Sequence, residues 1–185
     1  MFENDIIKLR KLTLNDTNIY HSWRNDVEVM YTTSPLLDIY TLEETEEFIS
    51  SIISQSNAKS YIIEHKETNQ AVGIVSLSNI DYKNRSAECI IDIGEKATWG
   101  KGIGKAALSL ILEYAFRELN LHRVFLNVFS FNERAIKLYE KMGFMREGVL
   151  RQAFYRAGWH DIVIMSILKN EYLCINKIGP QVLAI

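Results

Sequence analysis

The chain has 185 residues, which suits one domain with a sizeable core. Hydrophobic residues make up 48% and charged residues 24%, the balance of a folded globule rather than a disordered or fibrous chain. A formal net charge of −2 supplies no field that would draw the chain to nucleic acid or an anionic membrane, and no run approaches the ~18 apolar residues of a membrane span.

Residues 6–12 predict a strand. Asn15-Asp16 is a cap signal for a helix running through Trp23 to Val27. Thr41 and Glu44 form a capping box, which predicts a second helix from Leu42 to about residue 53. Glu43, Glu44, Glu46 and Glu47 crowd its start, where the helix dipole favours negative charge. Residues 60–64 and 71–77 are β-rich and joined by a turn at 67–70; a polar turn at 81–85 leads into a third strand at 87–93. A helix over 102–117 places Ile103, Ala106, Ala107, Leu110, Ile111 and Tyr114 on one face. A strand at 123–129 and a further helix follow, the latter closed by Gly143 in the C′ role. Two long β segments, 144–155 and 160–168, are joined through Ala157-Gly158-Trp159. The order β-α-α-β-β-β-α-β-α-β-β predicts an α/β fold, a mixed central sheet flanked by helices, in a single domain over residues 1–170. The apolar tail 171–185 carries no assignment. Cys89 and Cys174 make neither a disulfide framework nor a metal-ligand pattern, so no metal is expected, and Cys89 reads as a small buried hydrophobe. Charges begin at Glu3 and no signal-like apolar segment follows, which points to the cytoplasm.

The strongest chemical signal is Trp99-Gly100-Lys101-Gly102-Ile103-Gly104-Lys105. It lies between an apolar strand and an amphipathic helix. Glycines let backbone N–H groups approach a ligand closely, the helix start adds positive potential, and Lys101 and Lys105 add charge, so the loop suits a pyrophosphate. A P-loop is excluded because Trp99 stands at its first Gly and Ala106 follows Lys105. A dinucleotide fingerprint is met on paper by Gly102, Gly104 and Ala107. It lacks the tight turn off the strand, and the next strand ends without the acidic ribose ligand expected about 20 residues on. An ordinary glycine-rich turn remains a reading of the loop taken alone.

A second block, Asn132-Glu133-Arg134-Ala135-Ile136-Lys137-Leu138-Tyr139-Glu140-Lys141-Met142-Gly143-Phe144, follows the loop. Together the two blocks resemble the GCN5-related N-acetyltransferases (GNAT), over about residues 6–168. Trp99, where the family's general motif has Gln or Arg, resembles the branch of ribosomal-protein N-terminal and spermidine acetyltransferases. The resemblance implies the GNAT fold, acetyl-CoA as acetyl donor, and a primary amine as acceptor. The favoured acceptor is a polyamine or a protein N-terminus; an amino sugar is the alternative, and a non-catalytic acetyl-CoA-binding module the reading from another class. A homo-oligomer is compatible with it. The resemblance also implies cofactor contacts at Ile91 and Ile93 (backbone), at Trp99, Gly100, Lys101, Gly102, Ile103, Gly104 and Lys105, and at Asn132.

Acetyl transfer to an amine needs a proton acceptor and a donor for the leaving thiolate. Tyr139 is the donor candidate, on the inward face of its helix and at the family's Tyr position. Glu88 is the base candidate, in a strand among apolar neighbours where burial raises a carboxylate's pKa. Pairing with Arg85 or Arg123 is its rival reading. Period-2 alternation sets Asp92 on the same face, so it competes. Asn132 either caps its helix or, as the resemblance implies, touches the ligand; Ser130 with Glu133 is a rival capping box that would free Asn132 for the ligand. Trp23 and Glu28 are acceptor-pocket candidates, with packing an equal reading of Trp23; Asp26, Glu28 and the acids at 43–47 are the acidic side chains a polyamine pocket would draw on, or ordinary helix-surface charge.

Overall fold

The computed structural model describes residues 1–176. Seven strands form one sheet, β1 (Ile7–Lys11), β2 (Lys59–His65), β3 (Gln70–Asp81), β4 (Ser86–Asp92), β5 (Arg123–Phe129), β6 (Met145–Tyr155) and β7 (Trp159–Leu168), in the order β1-β2-β3-β4-β5-β7-β6. Every neighbouring pair is antiparallel except β4–β5. The helices are α1 (Thr17–Arg24), α2 (Val27–Thr33), α3 (Leu42–Ser54), α4 (Ile103–Glu113), α5 (Glu133–Lys141) and α6 (Lys169–Ile175). This is the expected mixed sheet flanked by helices, with one helix split and one added.

The split has a local cause. Asn25 turns its side-chain amide back onto the His21 carbonyl and ends α1. Asp26 then restarts the chain as a helix cap, accepting from the N–H groups of Glu28 and Val29. The expected cap at Asp16 is not made on α1. Its carboxylate accepts from the Thr13 N–H and from Arg10 instead, tying the first helix to β1. The Thr41–Glu44 capping box on α3 forms as expected. The expected boundary after residue 170 falls inside α6, whose Tyr172 is buried against Phe116. The remainder of the tail, 177–185, lies outside the described residues.

The main core lies between the sheet and α4, α5 and α6, around Val75, Ala87, Ile111, Phe116, Val124 and Met165. A smaller apolar cluster on the opposite face, Leu12, Ile49, Ile62 and Ile74, seats α1 and α3. Two glycines set the backbone near the site. A Cβ at Gly73 would stand 2.3 Å from the Asp92 carbonyl oxygen, so glycine lets the end of β4 lean onto β3. A Cβ at Gly94 would stand 2.1 Å from the Trp23 ring.

Gly94→Ala is therefore expected to cost about 1–3 kcal/mol through overpacking against a buried indole. The Tm of the variant should fall by several degrees at this chain length. Gly148→Ala, where the added methyl meets nothing within 4 Å, is the control and should melt close to the parent. Equal melting of both variants would show that Trp23 gives way.

Candidate active site

β4 and β5 pair over only three positions, Ser86–Arg123, Ala87–Val124 and Glu88–Phe125. Beyond them β4 stays bonded to β3 as far as Asp92, and β5 to β7 as far as Phe129. The two strands part, and a cleft of about 560 Å³ opens between them. It is lined by the end of β4, the glycine loop, the start of α4, the inner face of α5, and Thr32 and Thr33 of α2.

At the wide end the loop is built for an anion. Gly100 and Gly102 have φ of 76° and 85°, a region that side chains with a Cβ rarely adopt. Gly102 caps α4 without a side chain, so the first N–H groups of the helix face the cleft uncovered. Gly104 serves packing: a Cβ there would press on Leu138 of α5 at 3.1 Å. Lys105 lines the cleft, whereas Lys101 is exposed and outside the lining, its N–H spent on the Thr98 carbonyl. Ile103 is a core residue that reaches the cleft at its edge. Trp99 donates its indole N–H to the Ile93 carbonyl at 2.8 Å, so that carbonyl already holds one partner. Above the indole ring, at 4.2 Å, lies the Arg134 guanidinium. Arg134, Lys137 and Lys141 all line the cleft. Sequence reasoning missed this basic stripe, although positions i, i+3 and i+7 of a helix share one face.

The reacting groups stand along the same cleft. Tyr139 is 8% exposed, and its hydroxyl has no hydrogen-bond partner among the described residues. Burial, then the nearby Cys89 and Asp92, raise its pKa well above the ordinary phenol value. Asp92 lies between Tyr139 and Tyr20 electrostatically, with no hydrogen-bond donor on its carboxylate among the described residues. Desolvation pushes its pKa up to about 7. Burial also drives the Cys89 thiol up to about 12, away from use as a nucleophile. Glu88 lines the cleft as well, but in other surroundings than the apolar ones expected. It is half-buried, and its neighbours are amides: Asn127 donates to Oε1 and Asn79 to Oε2, each at 3.1 Å. Its rival partner Arg123 pairs instead with Glu147.

Three expectations are corrected. Of the two readings of Asn132 the cap is the one formed, and Ser130 does not release it. Its Oδ1 accepts from the Ala135 N–H at 3.2 Å, because α5 begins at Glu133 and Ser130 sits too early to cap it. Its Nδ2 donates to the Thr32 carbonyl at 3.5 Å, and the residue still lines the cleft. Trp23 does not shape a pocket: it is buried against Gly94. Glu28 borders a second, open cleft beside Trp99 and Arg134, but it is paired with Lys96 at 3.0 Å, as is Asp26 at 2.8 Å. Glu44 caps its own helix, and Glu43, Glu46 and Glu47 are exposed on α3, outside the cleft lining. The expected reservoir of free acids at the acceptor end is thus spent or remote. Thr32, Thr33, Asn127 and Phe129 were not anticipated there. The signal for the first two was the Asp26 cap.

Comparison with known proteins agrees with this geometry. The family model described as an acetyltransferase (GNAT) domain matches residues 7–145. Spermidine N(1)-acetyltransferase of Vibrio cholerae is 32% identical over 173 residues, 92% of this chain and 97% of that protein. The enzyme of the same name from Escherichia coli K12 is 30% identical over 179 residues, 96% and 94% of the two chains. A crystal structure of the Vibrio cholerae enzyme with CoA and spermine superposes with a TM-score of 0.84, at 32% identity, over 92% of this chain and 99% of that one. The chain therefore belongs to the GNAT family and is an acetyl-CoA-dependent N-acetyltransferase.

Proposed function

We propose that this chain acetylates a primary amine of a polyamine by direct transfer within the wedge between β4 and β5. The observation that carries the reading is the convergence of an unpartnered Tyr139 hydroxyl, an amide-held Glu88 and a lone Asp92 on one cleft. The relatives that span nearly the whole chain, named for spermidine, support the acceptor class. The bound donor supplies a thioester acyl group. The glycine loop from Gly102 to Lys105 and the basic face of α5 hold its phosphates, and Arg134, stacked on Trp99, carries the side-chain contact that Gln or Arg makes elsewhere in the family. Glu88, fixed by Asn79 and Asn127, takes the amine proton. Tyr139 gives its proton to the leaving sulfur, a charge that exists only late in the reaction. An amino sugar is the second reading. Pairing of Asp26 and Glu28 with Lys96 favours an acceptor with one amine, because a polycation draws on several free carboxylates.

Thiol release from acetyl-CoA across spermidine, spermine, glucosamine and N-terminal peptides tests the proposal. Spermidine or spermine should give the highest kcat/KM; glucosamine above both would move the assignment to the second reading, and no release with any amine would sink the function. Arg134→Ala should weaken CoA binding about tenfold by calorimetry, the scale of one charge-assisted hydrogen bond. Unchanged affinity would leave the phosphates to the backbone and lysines.

Tyr139→Phe should lower kcat by roughly ten- to a thousand-fold with CoA affinity retained. Glu88→Gln should be slow near neutral pH and recover as pH rises and free amine accumulates. If instead Asp92→Asn, and not Glu88→Gln, reshapes the pH–rate profile, the base is Asp92.

Asp92 also makes a stability prediction. Its carboxyl binds a proton more tightly in the folded chain, about 7 against 3.8, so the folded state holds more protons between those values. Stability then falls as pH rises from about 4 to 7 and stays reduced above it. The side chain is not wholly withdrawn from solvent, so the loss should be on the order of 1–2 kcal/mol, below the full linkage value. Melting of the ligand-free protein across this range should show the decline, and Asp92→Asn should flatten it. An equal slope in both proteins would place the titration elsewhere.

A further inference from the structure

Arg156 stands in the turn between β6 and β7, only 7% exposed, and no carboxylate pairs with it among the described residues. A guanidinium is costly to bury unless its charge and its N–H groups are compensated. Here the compensation is a helix end. Nη1 donates to the carbonyls of Tyr31 and Met30, the latter at 3.4 Å, and Nη2 to the carbonyl of Ser34 at 2.9 Å. The Tyr31 carbonyl is among the last of α2, which lack intrahelical partners, whereas the Met30 carbonyl already accepts from the Ser34 N–H at 2.9 Å; the dipole at this helix end favours a cation. The rings of Phe154, Tyr31 and Phe129 cover the guanidinium at 4.9, 5.3 and 5.9 Å.

The helix being gripped needs such help. α2 has seven residues, too few to hold itself in water, and Pro35 disfavours a helical conformation at Ser34. Its start is tied by Lys96 to the segment that leads into the glycine loop. Thr32 and Thr33, which line the cleft with Glu88 and Phe129, stand between the carbonyls that Arg156 holds. We propose that Arg156 is a positioning residue for the acceptor: it fixes the last turn of α2, and through Thr32 and Thr33 the wall against which the amine is presented. This rests on acetyl transfer in this cleft and not on which amine accepts.

Arg156→Lys and Arg156→Ala in the full chain test it. Lysine keeps the charge but offers one compact donor group that cannot span the Tyr31 and Ser34 carbonyls. With the amine that gives the highest turnover, both variants should raise the KM for amine about tenfold or more, and leave the KM for acetyl-CoA within about twofold, the scale for a displaced substrate wall. Hydrogen exchange at the Met30 and Ser34 N–H groups should quicken in both variants, and millimolar guanidinium should restore part of the amine KM in Arg156→Ala alone. An unchanged amine KM beside a lowered Tm would reduce Arg156 to a structural residue and overturn the proposal. An equal rise in both KM values would overturn it too. Should Arg156→Ala not fold, Arg156→Lys carries the test. Should the parent acetylate no amine at all, the functional reading fails by itself, and unchanged exchange along α2 in the variants would still refute the grip.

Discussion

The organising constraint is the parting of β4 from β5. Buried backbone N–H and C=O groups must find partners. Three paired positions are followed by strand ends that no longer reach each other, so the backbone edge of β4 beyond Glu88 faces a cleft instead of a ladder. That edge is a row of donors and acceptors suited to an extended, amide-bearing arm. Everything functional is arranged around the wedge. Gly73 lets β4 lean away, the glycine loop closes the wide end, and α5 supplies Tyr139 and a basic stripe.

α2 forms the remaining wall, and it is held from outside itself. Lys96 grips its start, Asn132 its Thr32 carbonyl, and Arg156 its last turn. The three come from the lead-in to the glycine loop, the cap of α5 and the β6–β7 turn. A seven-residue helix is thus tied to three elements, of which the lead-in to the glycine loop, through Thr98, and the cap of α5, Asn132, line the cleft. The same ties have an electrostatic consequence. Asp26 and Glu28 are neutralised by Lys96, so the carboxylates that line the main cleft are Glu88 and Asp92.

Much of this was legible in the residues. The period-2 and period-3.6 patterns located the strands and α4. The Thr41–Glu44 box placed α3, and Gly143, with φ of 94°, ends α5 as expected. The loop and the Tyr139 block located the cleft. What stayed hidden depended on contacts between distant residues. Trp23 reads equally as a pocket wall or as packing until Gly94, in another segment, is seen beneath it. Asn25 and Asp26 are small polar residues whose power to break and restart a helix depends on which carbonyl the Asn side chain finds. Asn132 and Ser130 are both good caps, and the start of α5 decides between them.

The two carboxylates on β4 show why strand periodicity locates a site without assigning its chemistry. Glu88 and Asp92 share a face by alternation, which the sequence alone reveals. Their surroundings come from other segments: β3 contributes Asn79 beside the turn and β5 contributes Asn127, and both amides point at Glu88. Among the described residues no such donor reaches Asp92, which lies near Tyr139, and desolvation alone moves its proton affinity toward neutrality. One carboxylate is thus oriented and the other is poised. They stand at the third and the last position of one strand, and the parting of β4 from β5 is what opens the single cleft that both of them line.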